Sequence, residues 1–88
     1  DNVFNILTSG IVVLFSQGEE KPMAVIVVSK NLNEEGILAG KLAKDIGGFM
    51  EGGGGGKPHL ATAGGKNNSS IKLAVDSTQS LINELFNG

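Results

Sequence analysis

Apolar residues along the chain fall into short runs separated by segments rich in glycine, proline and asparagine. Two runs, IVVLF at residues 11–15 and MAVIVVS at residues 23–29, are dominated by β-branched residues and are joined by seven mostly polar, turn-forming residues. This arrangement predicts an antiparallel pair of strands with a long hairpin loop. Since neither run alternates apolar with polar positions, we expect both faces of their sheet to be covered.

Helical spacing is found at both ends of the chain. Val3, Ile6 and Leu7 lie three or four residues apart and precede Gly10, which predicts the end of a helix over residues 1–8. Towards the other end, Ser69 or Ser70 is expected to cap a helix with one apolar face. That face comprises Ile71, Ala74, Val75, Thr78, Leu81, Ile82 and Leu85.

A third helix is predicted between the second strand and the glycine-rich part of the chain. Asn31 or Asn33 is placed to cap it, with acidic residues following in its first turn, where the helix dipole favours them. Gly36 and Gly40 are four residues apart, and we expect them to allow close packing against a sheet. The acidic residues are Glu34 and Glu35, the expected buried stripe is Ile37, Leu38, Leu42 and Ile46, and Gly47 or Gly48 ends the helix.

The segment GGGGGKPHLATAGG occupies residues 52–65, and seven of its fourteen residues are glycine. Ordering glycine costs more backbone entropy than ordering any other residue, so we do not expect this glycine run to be a simple connecting loop. We expect residues 52–56 to form an exposed loop that is more mobile than its surroundings and whose N–H groups converge on an anion. Residues 59–63 are then expected to form a short strand.

These elements follow the order helix, strand, strand, helix, strand, helix. Because strand–helix–strand connections usually join parallel strands, we predict an α/β fold with a small mixed sheet of about three strands, packed with helices. The length of 88 residues suits a single domain spanning residues 1–88, which we expect to be a fragment of a longer protein because Met does not come first.

Charge is distributed unevenly along the chain. The net charge of −2 argues against a strong nonspecific binder of nucleic acid. No acidic residue lies between Glu51 and Asp76, so the glycine-rich segment forms a local positive region. Its basic residues are Lys57, His59, Lys66 and Lys72. The alternative is a chance gap in a chain of low charge.

Known phosphate-binding and catalytic motifs do not fit the sequence. A P-loop would require glycine at Glu51 and a hydroxyl residue at Pro58, and a dinucleotide fingerprint would require glycine at Lys57. His59 is the only histidine and cysteine is absent, so no metal site or catalytic triad is indicated. We therefore expect no enzymatic activity and no cofactor in this domain. Because the sequence has neither an apolar run long enough to span a membrane nor a signal pattern at its start, we expect a cytoplasmic location and no membrane partner.

The glycine-rich motif resembles the signature of the C-terminal domain of alanyl-tRNA synthetases (the C-Ala domain, of DHHA1 type). In that family a glycine run is followed by Arg-Pro-Asp, a bulky apolar residue and Ala-Gln-Ala-Gly-Gly. The preceding segments IVVLFS, AVIVVSKNLN and ILAGKLAKDIGGFMEG are also similar to that domain. The resemblance implies a tRNA-binding module of an alanine–tRNA ligase that grips the outer corner of the tRNA to support aminoacylation and editing. It also implies contacts with other domains of the same chain, and homodimers through a preceding helical part.

The resemblance and the glycine chemistry together assign RNA contacts to nine residues. They are Gly52, Gly53, Gly54, Gly55, Gly56, Lys57, Pro58, His59 and Lys66. Lys57 and His59 stand where the family usually has Arg and Asp, so a planar guanidinium and a carboxylate are lost. Phe49 is expected to be a core residue beneath the glycines, with stacking on an RNA base as the alternative.

Two other functions remain open at this stage. DHH-family phosphodiesterases share this domain type, and there it contacts substrate phosphates through a shorter glycine motif that includes a histidine. A protein-interaction or dimerisation module without RNA contacts is the other alternative, which the net charge of −2 favours.

Overall fold

The computed structural model describes residues 3–8, 10–17, 21–66 and 71–87, and their strands form one antiparallel sheet. The elements in chain order are strand β1 (Val3–Thr8), β2 (Ile11–Gln17), β3 (Pro22–Val28), helix α1 (Lys30–Glu34), α2 (Ala39–Phe49), β4 (Gly53–Gly56), β5 (Leu60–Gly64) and α3 (Ile71–Asn87). The strand order across the sheet is β1-β2-β3-β5-β4, and each strand is antiparallel to its neighbours.

The α/β class is confirmed, and so is the antiparallel pairing of β2 with β3. The predicted first helix is wrong, because residues 3–8 pair with β2 as strand β1. Gly10, with a φ of +92°, stands in the tight connection that reverses the chain. The prediction of a mixed sheet with about three strands is also corrected, since the described residues form five strands, all antiparallel to their neighbours. Helices α1 and α2 and strand β4 separate β3 from β5 along the chain, which lets β5 return antiparallel to β3.

The core lies on one face of the sheet, beneath α2 and α3. Alternate residues of β2, β3 and β5 point into it, for example Phe15, Ile26 and Ala61. On the opposite face Leu14 is 40% exposed and Met23 is 52% exposed, so the expectation that both faces are covered is wrong for the described residues. The long apolar runs are therefore only half-buried strands.

The predicted middle helix is divided into α1 and α2. Ser29, not Asn31 or Asn33, caps α1, and its Oγ accepts a hydrogen bond from the Leu32 N–H at 3.4 Å. Gly36 has a φ of +93°, a left-handed conformation that separates the two helices. Glu34 therefore ends α1, and Glu35 is its C-cap.

Helix α2 continues to Phe49, beyond the predicted stops at Gly47 and Gly48. The Glu51 N–H donates to the Gly48 carbonyl and the Gly52 N–H donates to the Gly47 carbonyl, as in a Schellman motif. Glu51 occupies the position usually taken by glycine and has a φ of +61°.

The predicted apolar face of α3 is largely confirmed. Ile71, Ala74, Thr78 and Ile82 are buried, while Leu85 is 39% exposed. The predicted caps Ser69 and Ser70 lie outside the described residues. In α2, Leu42 and Ile46 are buried as predicted, Ile37 packs against the core just before the helix, and Leu38 is exposed.

Candidate nucleic-acid interface

Residues 53–56 of the glycine segment form strand β4 at the edge of the described sheet, instead of the predicted loop. Residues 53–56 pair with residues 61–64 of β5 in antiparallel register. An extended strand points successive N–H groups in alternate directions, so these amides do not converge on one anion. The prediction of a loop with converging N–H groups is therefore wrong for residues 53–56, whereas their contact with RNA stays a prediction.

Close packing against α2 explains why this strand is made of glycine. A Cβ at Gly54 would lie 2.4 Å from the Ala43 carbonyl oxygen, and a Cβ at Gly47 would lie 2.4 Å from the Gly53 carbonyl carbon. A Cβ at Gly40 would lie 2.8 Å from the Gly56 carbonyl oxygen, which confirms the predicted role of Gly40 in close packing. Helix and strand thus meet backbone to backbone.

The glycines of β4 differ in what surrounds them. A Cβ at Gly53 or Gly55 would meet no atom within 4 Å, so these positions face open space. Gly52 precedes the strand, where a Cβ would collide with the Gly64 carbonyl oxygen. Only part of the glycine run therefore presents bare backbone to a ligand.

The turn between β4 and β5 presents Lys57, Pro58 and His59, all exposed. The Lys57 N–H donates to the Leu60 carbonyl at 2.9 Å, which closes the turn. The Pro58 carbonyl accepts two hydrogen bonds of 2.8 Å, one from the Ala39 N–H and one from Asn33 Nδ2. The turn is therefore fixed to the first residue of α2.

Lys66 lies at the opposite end of the hairpin from Lys57. Its N–H donates to the Met50 carbonyl at 3.2 Å, beside the C-terminal end of α2. With a rise of about 3.3 Å per residue, the two lysines are separated by roughly 20 Å along the strand. They therefore belong to different parts of the surface. Phe49 is half-buried and packs against the core, as expected.

A groove of about 410 Å³ lies between the first half of α2 and the end of β4. It is lined by Leu38, Gly40, Lys41, Lys44, Gly55, Gly56 and Pro58. Three of these residues, Gly55, Gly56 and Pro58, were predicted site residues. The sequence analysis missed Lys41 and Lys44 because only the fold brings α2 beside β4.

No group of three or more histidine, cysteine, aspartate or glutamate side chains gathers as a metal site within the described part of the chain. Over the same residues, no helix combines the length and the apolar character needed to cross a membrane.

Comparison with known proteins gives a consistent assignment. The family model of the DHHA1 domain matches residues 1–85. An alanine–tRNA ligase from Pelotomaculum thermopropionicum is 47% identical over 70 residues, which cover 80% of this chain and 8% of that protein. An alanine–tRNA ligase from Natranaerobius thermophilus is 39% identical over 82 residues, 93% of this chain and 9% of that protein. The chain thus spans less than a tenth of either ligase.

A solved structure supports the same relationship. The C-Ala domain from Aquifex aeolicus alanyl-tRNA synthetase matches with a TM-score of 0.71 and 32% sequence identity, over 89% of this chain and 66% of that chain. The similarity inferred from the glycine-rich signature is confirmed. On the match over residues 1–85, the chain belongs to the DHHA1 domain family.

Proposed function

We propose that this chain is the tRNA-binding C-terminal domain of an alanyl-tRNA synthetase, and that it grips the outer corner of the tRNA. The observation that carries the proposal is the exposed glycine hairpin, whose turn presents Lys57 and whose strand adjoins a groove containing Lys41 and Lys44. The names of the relatives and of the solved domain support this context. In the full synthetase the domain contributes binding, and the ligase reaction belongs to other domains of the same chain.

Recognition in this proposal depends on backbone and shape. Glycine lets a sugar-phosphate chain approach the peptide backbone closely, and lysine supplies a point charge for a phosphate. Double-stranded RNA is recognised mostly through phosphates, 2′-hydroxyls and shape, so a surface with few polar side chains suits it. Lys57, together with the exposed Gly55 and Gly56, forms the centre of this surface.

The test is tRNA binding by the purified chain, measured by fluorescence anisotropy with an alanine tRNA transcript. Gly55→Val adds bulk on the exposed face of β4 two residues before Lys57, and Gly53→Val adds the same bulk on the same face but farther from the turn. Both positions have room for a side chain, so we expect both variants to fold. Gly55→Val should weaken binding at every salt concentration, whereas Gly53→Val should bind as the unmodified chain does.

Lys57→Ala completes the test. Removing one phosphate contact should reduce the slope of log affinity against log salt by about one. Unchanged binding by both Gly55→Val and Lys57→Ala would show that the hairpin is not the contact surface. Absence of any tRNA binding by the unmodified chain would contradict the proposal and favour a protein-interaction module.

A further inference from the structure

The groove between α2 and β4 has a positively charged side. Lys41 and Lys44 are three residues apart on α2 and are exposed, so they lie on the same face of the helix. Positions at this spacing have Cβ atoms about 5–6 Å apart, which allows two flexible ammonium groups to reach one phosphate. Among the described residues that line the groove there is no carboxylate. Asp45 lies outside this groove and lines a neighbouring one together with Lys41, Leu81 and Leu85.

The remaining walls of the groove are apolar or bare backbone. Leu38 and Pro58 contribute apolar side chains, and Gly40, Gly55 and Gly56 contribute backbone without side chains. A volume of about 410 Å³ exceeds what one phosphate needs and falls in the range of small-ligand pockets, roughly 300–1,000 Å³. The walls therefore suit a ligand with a phosphate at one end and a flat or weakly polar body at the other.

Contacts within the fold hold both sides of the groove in place. The Pro58 carbonyl is held by the Ala39 N–H and by Asn33 Nδ2, each at 2.8 Å. On the other side Gly40 packs so closely on Gly56 that a Cβ would lie 2.8 Å from its carbonyl oxygen. A site that is already formed loses less entropy on binding than one that must be ordered.

We propose that this groove holds one nucleotide of the RNA chain, with its phosphate on Lys41 and Lys44 and its ribose or base against Leu38 and Pro58. The inference rests on the proposed function, and it places two residues of α2 in the RNA-binding surface beside the hairpin. A nucleotide fits both parts of the groove, since it combines an anionic group with a planar, partly apolar body.

The test compares two double variants that change the net charge equally. Lys41→Gln with Lys44→Gln removes the groove cations, and Lys21→Gln with Lys72→Gln removes two exposed lysines that do not line the groove. The groove pair should reduce affinity for an alanine tRNA transcript by at least tenfold and lower the salt slope by about two. The control pair should change affinity by less than threefold. Thermal melts should show that both double variants keep the fold intact, since all four side chains are exposed.

The outcomes separate the two proposals. If the unmodified chain binds tRNA and the groove pair binds equally well, the nucleotide site is wrong and the hairpin proposal stands. If both pairs weaken binding equally, only net charge matters and the groove assignment is overturned. A free nucleotide offers the groove the same phosphate and base as RNA does, and adenosine 5′-monophosphate tests this alternative ligand. It should bind at least tenfold more weakly than the RNA, and tighter binding would show that the groove is a free-nucleotide site.

Discussion

At the scale of single residues, the glycines of β4 have separate roles that the uniform sequence hides. Gly54 faces α2, where a Cβ would lie 2.4 Å from the Ala43 carbonyl oxygen and 2.9 Å from the Ala63 Cβ. Gly55 faces open space on the opposite side of the strand. Gly54 is therefore required for packing, whereas Gly55 is available to a ligand.

Alanine substitutions should separate these roles. Gly54→Ala forces the helix away from the strand, and overpacking of this kind costs about 1–3 kcal/mol of unfolding free energy. Gly55→Ala meets no atom and restricts the unfolded chain, so it should leave stability unchanged or raise it by up to about 1 kcal/mol. Urea denaturation of both variants measures the difference. Equal losses of stability would contradict the close packing of β4 on α2.

Among the described residues, Glu51 is the non-glycine residue with a positive φ, which is +61°. A side chain in this conformation costs roughly 1 kcal/mol relative to glycine, so Glu51→Gly should raise the free energy of unfolding by about 0.5–1 kcal/mol. Glu51→Ala removes the same carboxylate but keeps a Cβ, and it should give little of this gain. A comparable stabilisation by both variants in thermal melts would assign the effect to charge instead of backbone conformation.

At the scale of elements, the sequence correctly predicted the strands and helices whose hydrophobic pattern fits only one type of secondary structure. The β-branched runs that became β2 and β3, and the apolar face of α3, were identified correctly. The segment VFNILT was not, because Val3, Ile6 and Leu7 fit helical spacing and only pairing with β2 makes it a strand. Residues 53–56 carry no side-chain pattern at all. Their extended conformation comes from β5 and α2, which are long-range partners.

The candidate site was predictable in the same limited sense. Lys57 and Pro58 were assigned to the site because they follow the glycine run, but as the end of a loop; their place in the turn of a β4–β5 hairpin was not predicted. Lys41 and Lys44 lie in the helix that precedes the glycine run, and a pair of surface lysines does not by itself indicate a binding site. The packing of Gly40 on Gly56 brings them to the groove, and this contact depends on the folded arrangement.

Helix α1 positions the hairpin through one side chain. Asn33 Nδ2 donates to the Pro58 carbonyl at 2.8 Å and to the Ile37 carbonyl at 2.9 Å. Asn33→Ala should lower the free energy of unfolding by about 1–2 kcal/mol and weaken tRNA binding, because the turn loses one of its two anchors. Asn31→Ala, at an exposed position of the same helix, is the matched control and should change stability by less than about 0.5 kcal/mol. Equal effects of the two substitutions on denaturation and anisotropy would contradict this role.

At the scale of the whole molecule, the two faces of the sheet differ in character. One face is covered by α2 and α3 and contains the core. The other exposes Leu14, Met23, Val27 and Leu60, and the described residues of β2, β3, β4 and β5 that point to it carry no charge. In the proposed function, phosphate contacts therefore come from the hairpin turn and the α2 groove, where Lys57, Lys41 and Lys44 lie.

This distribution of charge sets the strength of binding by the whole domain. Lys41, Lys44 and Lys57 provide three cations around the groove and its turn, against a net charge of −2 for the chain. We expect a dissociation constant of about a micromolar or weaker, with a salt slope of about −2 to −3. Raising salt fourfold should then weaken binding by roughly 15- to 60-fold.

In a full-length synthetase, tethering to other RNA-binding domains raises the effective concentration and conceals part of this weakness, so the salt dependence should be measured on the isolated chain. A slope steeper than about −5 would require phosphate contacts beyond these three lysines, and a slope near zero would show that RNA binding does not depend on them.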